Sequence, residues 1–114
     1  MKRFLLTWYG ITDFRASLGF ENTDGPIASA LAGASYSDIV ILGYTRMDND
    51  ASELIEVQKA FALELASIRN MGQEKDWKAT NHFVSRFANT AVAHEHFSTW
   101  LEKKAAALGC DASI

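Results

Sequence analysis

A chain of 114 residues, 48% hydrophobic and 11% aromatic, is the length of one domain and carries enough apolar side chains for a core. Its formal charge of −3 offers no general attraction to nucleic acid or a membrane surface, so recognition of a phosphate-bearing ligand would have to come from local geometry. The single cysteine, Cys110, excludes an intramolecular disulfide and a zinc site built on cysteine pairs, as expected of a cytoplasmic chain, and neither a secretory signal nor a membrane-length apolar run is visible.

Residues 3–9, RFLLTWY, form an almost continuous apolar run, the pattern of a strand buried on both faces. Residues 38–44, DIVILGY, repeat it with β-branched members, so both are expected to be central, parallel strands. Between them, WYGITDFRASLGFENTDGPIASAL poses a question. An apolar run ends at Gly10, no hydrophobic period follows, and Asp24, Gly25 and Pro26 then open a helix reaching about Ala32, with Gly33 near its end. The intervening stretch reads as a long loop, a length that is usually functional or disordered. Ile11, Phe14, Leu18 and Phe20 anchor it, unlike a disordered linker. The whole makes a βαβ unit, whose crossover is right-handed.

After Tyr44 comes a second loop, TRMDND. Asp50 and Glu53 then form a capping box, and Leu54, Val57, Phe61, Leu65 and Ile68 recur at helical spacing to about Asn70, with Gly72 just beyond. From Trp77, the residues Phe83, Val84 and Phe87 suggest a further short helical turn. Asn89 or Thr90 caps a final helix with Phe97, Trp100, Leu101 and Leu108, Lys103 and Lys104 near its end, and Gly109 closing it. The alternation calls for a third strand just where CDASI stands, so the expected fold is a Rossmann-like three-layer α/β one with a small parallel sheet, the N-terminal piece of a longer protein.

In open parallel sheets, ligands bind at the carboxyl ends of the strands, where helix N-termini present free N–H groups. The loops after both strands leave that edge, which would bring Thr12, Arg15, Thr45 and Arg46 to one ligand, the arginines offering forked donors to phosphate. The same glycines and arginines are also compatible with plain turns and solvated charges, because neither GxGxxG nor a P-loop is present. His94 and His96 stand two apart, so on a helix they point about 200° from one another and cannot share a metal; they read as surface histidines. Asp48 reads as a turn former beside the capping Asp50, and no serine sits in a GxSxG elbow. No metal or cofactor is expected. Trp77 and Trp100 are candidates to cover a partner surface.

The strand ending WYGITD, the run into DGPIASAL and the second strand DIVILGYTR resemble the opening of a CRISPR-associated Rossmann-fold (CARF) sensor domain, more narrowly the CARF-like N-terminal domains of sigma-54-dependent AAA+ transcriptional activators. The resemblance covers residues 3–46, with FANT at 87–90 adding weaker support. It implies a homodimeric, non-catalytic sensor that binds a nucleotide, such as a cyclic oligoadenylate, or an RNA end, and gates downstream ATPase and DNA-binding domains. It further implies ligand contacts from Gly10, Ile11, Thr12 and Asp13, from Gly25 and Pro26, and from Thr45 and Arg46. Two other functions are open: a CARF-like enzyme that degrades its nucleotide ligand, and a pure dimerisation module.

Overall fold

The computed structural model describes residues 2–43, 51–71, 76–110 and 112–114. Its elements in chain order are β1 (Phe4–Trp8), α1 (Ile11–Ser17), α2 (Gly25–Gly33), β2 (Asp38–Leu42), α3 (Ala51–Asn70), α4 (Trp77–Phe87) and α5 (Ala91–Ala107). The two strands pair in parallel, Phe4 opposite Asp38 through Trp8 opposite Leu42. This is a small Rossmann-like α/β arrangement. Ser113 adds a parallel bridge to Asp38: it accepts from the Ile39 N–H at 2.7 Å and donates to the Ser37 carbonyl at 3.2 Å. The chain therefore returns after α5 to the far side of β2, where the alternation placed a third strand.

Alternation along the strands divides the sheet into two unlike faces. Leu5, Tyr9, Ile39 and Ile41 face a core formed with Ile27, Ala28 and Leu31 of α2 and Phe97, Leu101 and Ala105 of α5. Phe4, Leu6, Trp8, Val40 and Leu42 lie on the opposite face and are exposed. The strands are thus not buried on both faces as their composition suggests. Among the described residues the helices fill one layer against the sheet, and the position of the second helical layer is bare. The least extent of the molecule is 18 Å, about the depth of one sheet with one helical layer.

A second core lies beyond the sheet, where α1 meets α3 and α4. Phe14 and Phe83 are fully buried at its centre, with centroids 6.0 Å apart, and Phe61 and Phe87 close around them. The spacing of Phe61 and Leu65 on α3 and of Phe83, Val84 and Phe87 on α4 supplies the apolar stripes that make this contact. The stretch from Trp77 is a full helix of 11 residues, because Asp76 caps it: its carboxylate accepts the N–H groups of Lys78 and Ala79. Thr90 caps α5 through the Ala93 N–H at 3.2 Å, and Gly109 ends it at φ +75°. The capping box of Asp50 and Glu53 lies outside the described residues. No helix among the described residues is long and apolar enough to cross a membrane.

Candidate functional site at the carboxyl ends of the strands

The stretch after β1 is helical where a loop was expected. α1 starts directly at Ile11, with Gly10 as its N-cap, and Asp13 to Ser17 are all buried. Five consecutive buried residues show no polar and apolar alternation, which is why no period marks the helix. Its polar residues are buried because they are paired. Ser17 donates its hydroxyl to the Phe14 carbonyl at 2.7 Å. Arg15 is bonded to Glu21 at 2.7 Å and to Asn81 at 3.3 Å, with its guanidinium 4.8 Å from the centre of the Trp77 ring.

Asp13 is 3% exposed and joins two element starts. Its Oδ2 accepts the Gly10 N–H at 3.1 Å, and its Oδ1 accepts the Ile27 N–H at 3.0 Å. An internal carboxylate thus takes the first-turn donor of α2 that an incoming phosphate would otherwise use. Gly25 stands over it at φ +85°, where an added Cβ would lie 3.3 Å from Asp13 Oδ1 and 3.3 Å from the Ala16 methyl. Of the nine residues expected to contact ligand, Gly10, Asp13 and Gly25 form this junction, while Pro26 lies exposed in the first turn of α2. Ile11 and Thr12 are exposed at the start of α1. The Arg15 side chain is held by Glu21, Asn81 and Trp77 instead. Thr45 and Arg46 lie outside the described residues.

Tyr9, not singled out from the sequence, and His94, read there as a surface histidine, complete the edge. Tyr9 follows β1 and extends the ladder, its N–H donating to the Leu42 carbonyl at 2.9 Å. Its ring packs against His94 at 4.5 Å and Phe97 at 5.0 Å between centroids. The Tyr9 hydroxyl is buried without a hydrogen-bond partner among the described residues. Burial, and then the negative charge of Asp13, pushes its pKa far above the usual phenol value, so the group is a neutral hydroxyl at any physiological pH. Gly43, just after β2, lies so close to the His94 ring that an added Cβ would fall 2.3 Å from its Cε1. The first turn of α5 is thereby laid across the ends of both strands. The only sign in the sequence was a hydroxyl-bearing aromatic before Gly10 and a histidine one turn after Thr90.

The two histidines expected at the surface are half-buried, because α5 is packed on opposite sides. His94 faces the strand ends, whereas His96 lies against Phe61 with Nε2 3.4 Å from the Ser17 carbonyl. Burial lowers the His96 pKa; the Ser17 carbonyl opposes this, and the Arg69 and Lys103 charges reinforce it. Among the described residues no cluster of metal-ligating side chains occurs. A polar cleft of about 350 Å³ lies along the α1–α2 connection, and three of its lining charges are paired, Lys104 with Asp24 at 3.0 Å and Glu21 with Arg15 behind the wall. At the strand ends a neutral phenol and an imidazole thus stand near the exposed residues Ile11 and Thr12 at the start of α1.

No protein-family model, curated protein or solved structure matches the chain.

Proposed function

We propose that the chain is a non-catalytic ligand-sensing domain that takes a nucleotide or an RNA-derived end at the carboxyl ends of β1 and β2, as part of a regulator of the sigma-54-dependent kind. The observation that carries this is the buried Tyr9 hydroxyl, without a hydrogen-bond partner among the described residues, on a ring packed against His94 at the strand edge where parallel sheets accept ligands. A buried hydroxyl without a partner is costly, and a ligand group that reaches it recovers the cost. Entry requires the His94 ring to swing off Tyr9. Because His94 sits on the helix that packs Phe97 and Leu101 onto the sheet, occupancy is coupled to the position of α5. The ligand's polar edge meets Tyr9, and its phosphates lie toward Thr12 and away from the α2 terminus, which Asp13 fills.

Calorimetric titration with linear and cyclic oligoadenylates and with RNA ends carrying a cyclic phosphate tests the proposal. At least one of these ligands is expected to bind, and Tyr9→Phe to weaken that binding by about tenfold, the worth of one hydrogen bond of about 1.4 kcal/mol. If none of the panel binds, sensing of this ligand class is wrong. If Tyr9→Phe binds as tightly as the parent, the site lies elsewhere.

A further inference from the structure

The cleft along the α1–α2 connection, about 350 Å³, falls at the small end of the range of ligand sites. One wall is the connection, with Glu21 to Asp24; the other is made by Trp100 and Lys104 of α5 and by Arg69 near the end of α3. On α5, His96, Trp100 and Lys104 recur every fourth residue and so share one face, each about 6 Å farther along the axis. His96 marks one end of the cleft, its Nε2 lying 3.4 Å from the carbonyl of Ser17, which lines it. The Arg69 charge acts on the His96 ring and so belongs to that end. At the other end the Lys104 ammonium closes on Asp24 at 3.0 Å. Trp100 stands midway, half-buried and held by Phe97 at 5.8 Å between centroids and by the Lys104 ammonium 5.6 Å from its ring centre. A ring fixed in this way offers apolar surface without further loss of side-chain freedom.

Four charged side chains line the cleft, two of each sign. Asp24 is neutralised by Lys104, and Glu21 by Arg15. Arg69 is exposed and makes no ion pair among the described residues, so one positive charge is left over. We propose that this cleft binds a small aromatic carboxylate, its carboxylate forked onto Arg69 and its ring set against Trp100. Three features select this class of ligand. The guanidinium presents paired donors that match the two oxygens of a carboxylate. A single uncompensated charge suits a monoanion, whereas a phosphate dianion would bring a second negative charge toward Glu21 and Asp24. The indole lies about one helical turn from the His96 end, which a short linker between carboxylate and ring spans. The site is separate from the strand ends, since neither Tyr9 nor His94 lines it.

Calorimetric titration of the 114-residue chain with 3-phenylpropionate is the test. Saturable binding is expected with a Kd of about 1 mM or tighter, the scale open to a ligand of so few atoms. Phenyl phosphate, acetate and the neutral amide of 3-phenylpropionate should each bind at least about tenfold more weakly, because each lacks the matching charge or the ring. Arg69→Gln should weaken 3-phenylpropionate by at least about tenfold with an unchanged thermal midpoint, since the side chain is exposed and unpaired among the described residues. Tyr9→Phe should leave this binding unchanged, which keeps the result apart from that of the strand-end site. The absence of saturable binding overturns the proposal. So does a control that binds as well as 3-phenylpropionate, an Arg69→Gln variant with the affinity of the parent or a shifted thermal midpoint, or a loss of binding in Tyr9→Phe.

Discussion

The carboxylate of Asp13 reaches across 14 residues to accept the Ile27 N–H at 3.0 Å, and so locks the start of α1 to the start of α2. Removing it leaves that buried donor, and the Gly10 N–H, without an acceptor. Asp13→Ala is expected to cost about 2–4 kcal/mol, and Asp13→Asn less because one oxygen remains. Urea denaturation should show the loss as a lower midpoint with an unchanged slope.

Gly25 and Gly19 both have positive φ, but only Gly25 is crowded, by Asp13 and Ala16. Gly19→Ala should cost about 1 kcal/mol from backbone strain alone, and Gly25→Ala distinctly more, since its methyl presses on the Asp13 junction. Equal losses in thermal denaturation would mean that the junction can yield.

Arg15 tests whether a buried arginine here serves the fold or a ligand. Its bonds to Glu21 and Asn81 and its position over Trp77 imply that Arg15→Gln lowers stability by about 1–3 kcal/mol. Nucleotide affinity, measured by titration, should not change. A drop in affinity with intact stability would return Arg15 to the binding site.

Tyr9→Phe should leave stability unchanged or raise it, by up to about 1 kcal/mol, because it removes a buried hydroxyl that has no partner among the described residues and keeps the ring that packs on Phe97. Thermal denaturation without ligand reads this directly. A marked loss of stability would show that the hydroxyl is bonded in the folded chain.

His96 sets a pH dependence. Its folded pKa lies below the ordinary 6.5, chiefly through burial, so between that folded value and about 6.5 the unfolded chain binds more protons than the folded one. The stability present above about pH 6.5 is therefore lost as the pH falls toward the folded value. Urea midpoints measured at several pH values between about 7.5 and 5.5 should fall in the parent and fall less in His96→Gln.

Much of this architecture is legible without coordinates. The apolar runs around Leu5 and Ile39 determine two parallel strands, because a strand flanked by helical segments has no nearby antiparallel mate. The stripe from Val57 to Ile68 and the Thr90 cap likewise determine α3 and α5, since periodicity and capping are local properties. Three things were decided only by tertiary structure. α1 has no period because five consecutive residues of it are buried, so its helix depends on neighbours that pair Asp13 and Arg15. The functional edge depends on α5 crossing the strand ends, which brings His94 to Tyr9 and Gly43 from 85 and 51 residues away in sequence; only packing can create such a contact. Which apolar strand face is covered is also invisible in composition: Leu6 and Ile39 are equally hydrophobic letters, and only the placement of α2 and α5 on one side buries Ile39 and leaves Leu6 in water.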